Sequence, residues 1–227
     1  KVSHIWISHE HPDHFSIKFF KDFEEIIKKK EIIFLFQKTK DQRVISFFKN
    51  KNFLYEELEN NIGYKIDQNF EIRVQKSDFY DSALIIKINN KTIFNLNDCP
   101  LRKKKDLIKF KKIYGTCDFL FTQFSYAAWK GGKSNLKWRQ NAASEKIKSI
   151  INQSNILKTN YTIPFASFIY FCDKFNYYLN DSVNSPEIIL TERNKINSEL
   201  IFLKPYQKID IDMSTYQVNN EGYLYWN

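Results

Sequence analysis

Three of the chain's four histidines fall in one short segment, Ser8-His9-Glu10-His11-Pro12-Asp13-His14. Imidazole is the commonest neutral ligand of borderline transition metals, and carboxylate often accompanies it. In an extended segment His9 and His11 project to the same side, so they can clasp one ion. The turn that follows brings Asp13 and His14 round to a second position, and two-metal hydrolytic sites hold their ions ~3.5–4 Å apart. A lone surface histidine carries no such meaning. Here the H-x-H-x-D-H spacing, after an apolar strand and before a helix, predicts a metal centre. Asp13 is the predicted catalytic residue, either ligating a metal or orienting and deprotonating a water.

The elements that must position this loop are legible around it. Val2–Ile7 reads as a strand that ends at Ser8. Residues 16–29 read as a helix, with Ile17, Phe20, Phe23 and Ile27 at helical spacing. Ile32–Phe36 is a short apolar run bounded by charge, the pattern of a buried strand. A helix over Asp41–Lys51 and a strand over Phe53–Glu57 follow. Strands are expected at Phe70–Gln75, Ala83–Ile88 and Thr92–Leu96, with Asn89-Asn90 turning between the last two because Asn tolerates positive φ. Leu101–Tyr114 reads as a basic helix, Phe119–Gln123 as a buried strand and Gln140–Ile156 as a long helix. Tyr161–Ile163, Ser167–Phe171 and Leu200–Leu203 read as strands, and Pro186–Arg193 as a helix with Pro in its first turn. This order predicts an α/β sandwich in one domain spanning residues 1–227.

The segment 8–14 resembles the signature of the metallo-β-lactamase superfamily. The resemblance implies a four-layer αβ/βα sandwich holding one or two transition-metal ions, usually zinc, sometimes iron or manganese. It implies that His9 and His11 serve the first metal, and Asp13 and His14 the second. It matches the family's bridging carboxylate to Asp98, in Ile93-Phe94-Asn95-Leu96-Asn97-Asp98. Asn95-Leu96-Asn97-Asp98-Cys99, Cys117-Asp118-Phe119-Leu120-Phe121 with Phe124-Ser125-Tyr126-Ala127, and Pro164-Phe165-Ala166-Ser167-Phe168 look like the corresponding part of CMP-N-acetylneuraminate hydroxylase and its bacterial relatives. The likeness runs from about residue 2 to about residue 206.

Two departures matter. The family adds a histidine after its mid-chain strands and another in its last third, and neither is present. Asp81 sits about where the first would fall and Asp173 near the second, and either could substitute as an oxygen ligand. Loss of two imidazoles weakens a dizinc reading and suits a mononuclear site, an iron-like N/O site or a decayed one. The family's strands before the histidine loop are also missing. With no initial Met, this predicts a fragment whose sequence continues upstream.

The expected function is metal-dependent hydrolysis of an ester, amide or phosphoester. One alternative is an iron-dependent oxygenase-related protein acting on a nucleotide sugar. That reading would call for an upstream domain or an electron-transfer partner, since the Cys and His pairs of a Rieske-type cluster are not in this chain. A second alternative is a degenerate, non-catalytic binding domain. The formal charge of +9 favours anionic partners. Its basic residues lie in short runs such as Lys28–Lys30 and Arg102–Lys105, which fits a small anionic substrate and leaves nucleic acid open. Lys130, Lys133 and Gly131-Gly132 could hold an anionic group, with Tyr126, Trp129 and Trp138 near the expected mouth. No apolar run approaches the ~18–20 residues of a membrane span. Three cysteines with no C-x-x-C pair predict a reducing, cytoplasmic setting.

Overall fold

The computed structural model describes residues 2–77, 81–99, 101–212 and 221–226. The chain divides into two compact units, Lys1–Lys87 and Ile88–Asn227.

In the first unit, β1 (His4–Ile7), β2 (Ile33–Gln37) and β3 (Leu54–Leu58) form a parallel sheet in that order. Ile7 pairs with Phe36, and Phe36 with Glu57. The crossovers are helical, as parallel strands require. The expected helix over 16–29 is instead two short helices, α1 (Ile17–Asp22) and α2 (Glu24–Lys29), separated by Phe23 at φ −113, ψ 11. Ser16 caps α1, its hydroxyl accepting from the Phe19 N–H at 3.3 Å. The second crossover, α3 (Arg43–Lys51), buries Val44, Ile45 and Phe48 on one face and ends at Asn52 in the left-handed conformation.

These helices and strands enclose an aromatic core. Phe20, Phe34 and Phe48 are fully buried, and the rings of Phe34 and Phe48 stack at 4.9 Å and 14°. Each such ring contributes about 1.5–3 kcal/mol by leaving water. The core fixes the strand ends, and with them the loop that leaves β1. The unit also holds β4 (Tyr64–Asp67), β5 (Phe70–Lys76) and β6 (Ser82–Ile88), neighbours in that order. Strand β4 was not expected: its alternation is confined to four residues, with Tyr64 and Ile66 packed inward.

In the second unit, β7 (Lys91–Asn95), β8 (Phe119–Thr122), β9 (Tyr161–Pro164) and β10 (Glu199–Leu200) run parallel in that order. Asn89 turns the chain into β7 with φ 50, as its residue type suggests. Helix α4 (Lys104–Tyr114) lays Phe110 and Tyr114 on Phe94 of β7. Helix α5 (Leu136–Leu157) is the longest element and buries Ile147 and Ile150 with Phe124 and Ile189, the latter from α6 (Pro186–Thr191).

Ser167–Phe171 is not a strand. The Asn180 amide takes the place of a neighbouring strand: its Oδ1 accepts from the Phe171 N–H, and its Nδ2 donates to the Phe171 carbonyl, both at 2.9 Å. Phe171 thus has both of its backbone groups satisfied by one side chain in place of a ladder partner. Asn180 lies on a 3₁₀ stretch, Tyr177–Ser182, and a last helix, α7 (Glu221–Trp226), completes the unit. Among the described residues no helix is long and apolar enough to cross a membrane.

Candidate metal centre

The histidine loop begins where β1 ends, at the carboxyl edge of the parallel sheet, the edge where ligands bind in open α/β sheets. Its first peptide is anchored from two directions. The Ser8 carbonyl accepts from Gln37 Nε2 at 3.0 Å and from the Ser82 hydroxyl at 2.8 Å. The His11 carbonyl then accepts from the N–H groups of His14 and Phe15, at 2.9 and 2.7 Å, and this closes the turn.

That backbone brings the donors together in pairs. His9 Nε2 and His11 Nδ1 face each other at 2.8 Å. His14 Nε2 and Asp13 Oδ2 lie 3.3 Å apart. The His9 and His14 rings stand 4.3 Å apart, centroid to centroid. His9 is only 2% exposed, whereas His11 and Asp13 are open to solvent. A buried imidazole beside solvent-facing donors makes a half-open site rather than a sealed one.

The other nitrogen of His9 decides how its ring is held. Nδ1 lies 2.9 Å from the Ser8 hydroxyl and 3.4 Å from Asp81 Oδ1. Asp81 is itself buried, and its Oδ1 accepts from the Ser82 N–H at 2.7 Å. An acid on one ring nitrogen fixes the tautomer and leaves the other nitrogen to act as a ligand. Asp81, singled out as a substitute oxygen ligand, therefore sits on the nitrogen of His9 that points away from His11. Ser8 also reaches His14 Nδ1, at 3.3 Å. Neither Ser8, Gln37 nor Ser82 was singled out from the sequence. A polar residue closing the apolar run Ile33–Phe36 was the one available sign for Gln37.

Asp98 and Asp173 belong to the second unit. Asp98 follows β7, and its Oδ1 accepts from the Gln123 side-chain amide. Asp173 closes its own turn, Oδ1 accepting from the Phe175 N–H at 2.7 Å and its carbonyl from the Asn176 N–H at 3.0 Å. Lys130 lines a cavity of the second unit together with Tyr126 and Trp138, while Trp129 packs edge-on against Trp138 at 5.5 Å.

Comparison with solved structures places this architecture. CmlA, a diiron β-hydroxylase from Streptomyces venezuelae, superposes with a TM-score of 0.58 at 11% identity, over 88% of this chain and 43% of that one. Igni18, a metallo hydrolase from Ignicoccus hospitalis, gives 0.56 at 12% identity over 90% and 77%. YhfI from Bacillus subtilis, a metallo-β-lactamase fold protein, gives 0.56 at 11% over 87% and 73%. This chain has the metallo-β-lactamase fold. It spans less than half the length of CmlA. No protein-family profile matches the sequence, and no curated protein matches it either. The α/β class expected from the sequence is thus the one found.

Proposed function

We propose that this chain is a metal-dependent hydrolase, with His9, His11, Asp13 and His14 as its metal-binding loop. The observation that carries the reading is the pairing of donors, His9 Nε2 with His11 Nδ1 and His14 Nε2 with Asp13 Oδ2. Facing ring nitrogens, backed on the far side by Ser8 and Asp81, are a ligand set with its orienting partners in place. The nitrogen and oxygen donors suit zinc, iron or manganese. Such an ion, when bound, supplies Lewis acidity to a carbonyl or phosphoryl oxygen and lowers the pKa of water towards ~7. Asp13, exposed at the mouth of the loop, takes a proton from the attacking water or holds the water in line. Asp81 keeps His9 in one tautomer. Asp98 is the acid that the family resemblance assigns as the bridging ligand.

A second reading is an oxygenase-related iron protein acting on a nucleotide sugar. It is supported by the likeness in fold to CmlA and by the motifs at 95–99, 117–127 and 164–168. The two readings differ in the metal they require.

Elemental analysis of the purified chain tests both, with the His9→Ala/His11→Ala double variant as control and circular dichroism to verify folding. At least one equivalent of metal is expected in the native chain and a loss in the variant. Zinc supports hydrolysis, and iron moves the assignment to oxygenase chemistry. A folded chain that takes up no stoichiometric metal after soaking refutes both.

A further inference from the structure

The second unit contains a cavity of about 480 Å³ that opens off the carboxyl ends of its parallel strands. Gln123 follows β8, and Asp98 follows β7. Tyr126 forms part of the wall, fully buried, its hydroxyl donating to the Leu179 carbonyl at 2.6 Å. Three cationic side chains reach this space from three different segments: Arg102 before α4, Lys130 from the loop after β8, and Lys146 from α5.

Two acids, Asp98 and Glu145, line the same space, so the cations outnumber the carboxylates by three to two. Glu145 is mostly exposed and only 4.0 Å from Arg102. Asp98 is reached through Gln123, which accepts from the Lys146 ammonium on its Oε1 and donates to Asp98 from its Nε2. Among the described residues neither Lys130 nor Lys146 forms an ion pair with a carboxylate. The crowding is felt at Lys146: burial and then Arg102 pull its ammonium down to about 8, with Lys130 adding to the effect and Asp98 opposing it.

The loop carrying Lys130 is tied down through its backbone. Arg139, 1% exposed, donates to the carbonyls of Gly132 and Lys133 at 2.7 and 3.1 Å. The Tyr178 hydroxyl donates to the Gly131 carbonyl at 2.9 Å. Gly131 adopts φ +81, and a side chain there would collide with Asn135, whose Oδ1 accepts from the Gly132 N–H at 2.9 Å. Bracing of this loop lowers the cost of ordering it when an anion binds.

We propose that this cavity is an oxyanion subsite, in which Arg102, Lys130 and Lys146 take a phosphoryl or carboxylate group of the substrate. The volume exceeds what one such group fills, so the remainder accepts an organic body against Trp138 and Tyr126. The inference names the substrate class for the hydrolase reading and rests on that reading. It needs no bound metal to be tested.

The experiment is calorimetric titration of the chelator-treated full chain with inorganic phosphate and, separately, malonate, at constant ionic strength set with chloride. Saturable binding of at least one is expected. Tighter phosphate binding assigns a phosphoryl group, and tighter malonate binding a carboxylate. Lys146→Gln should weaken binding about tenfold or more, the loss of one charge-assisted contact. Lys130→Gln should do the same and serves if the first variant does not fold. Lys105→Gln, exposed on α4, should change nothing. Binding no stronger than that of chloride, or unchanged in both pocket variants, overturns the subsite. A chain that binds phosphate here yet never takes up metal refutes the hydrolase and leaves the subsite standing. A chain that loads metal and ignores both anions does the reverse.

Discussion

Arg139→Met should be among the most damaging single changes in the second unit. The guanidinium is 1% exposed and grips Asp181 as a fork, Nε to Oδ1 at 2.8 Å and Nη2 to Oδ2 at 2.7 Å. It also holds the Gly132 and Lys133 carbonyls and lies 5.1 Å over the Tyr178 ring. Breaking a buried ion pair costs about 3–5 kcal/mol. Asp181 is 34% exposed and can regain water, and so can the two carbonyls on the partly open loop. The expected cost is therefore about 2–4 kcal/mol, or roughly 4–16 °C in Tm for a chain of this size. Arg139→Lys keeps the charge but loses the fork, so it should fall between the native chain and Arg139→Met. Asp181→Asn added to Arg139→Met should cost less than the sum of the two single changes, because the stranded carboxylate is gone. There is also a pH signature. Arg139 holds the Asp181 carboxyl below the usual carboxylate range. Its contribution is thus complete above the unfolded value of ~3.9 and lost as pH falls through the depressed folded value. Urea denaturation followed by tryptophan fluorescence, from neutral pH into acid, reads all of this. A loss under about 1 kcal/mol in Arg139→Met, or full stability in Arg139→Lys, would refute the account.

Asp81→Asn should weaken metal binding roughly 10–100-fold while leaving the stoichiometry intact, the behaviour of a residue that orients His9 rather than one that ligates. Competition against a chromophoric chelator measures it, and an unchanged affinity contradicts the role. For Lys146, the folded value of about 8 lies below the unfolded value of ~10.4, so between them the unfolded chain holds the proton more tightly. The burial of its charge therefore costs stability below pH ~8, and stability rises with pH across that window. The gap in urea midpoint between the native chain and Lys146→Met should change between about pH 7 and about pH 10, and a constant gap excludes the effect.

What is local was legible in the residues and their spacing. Strand, turn and helix follow one another within residues 4–22, so the spacing of His9, His11, Asp13 and His14 already dictated which donors would pair. Apolar runs such as Ile33–Phe36 and Phe119–Phe121 became parallel strands because continuous apolarity can be satisfied only with both faces covered. Which distant residues meet depends on how the elements pack. Asp81 reaches His9 across more than seventy residues, Asn180 replaces a ladder partner for Phe171, and Arg139, which on an isolated helix reads as a solvated charge, becomes the buried clamp on Asp181. None of these pairings has a periodicity or a spacing. Each exists because the packed apolar cores fix the backbone first, and polar groups so buried must then take whatever partner the fold brings within reach.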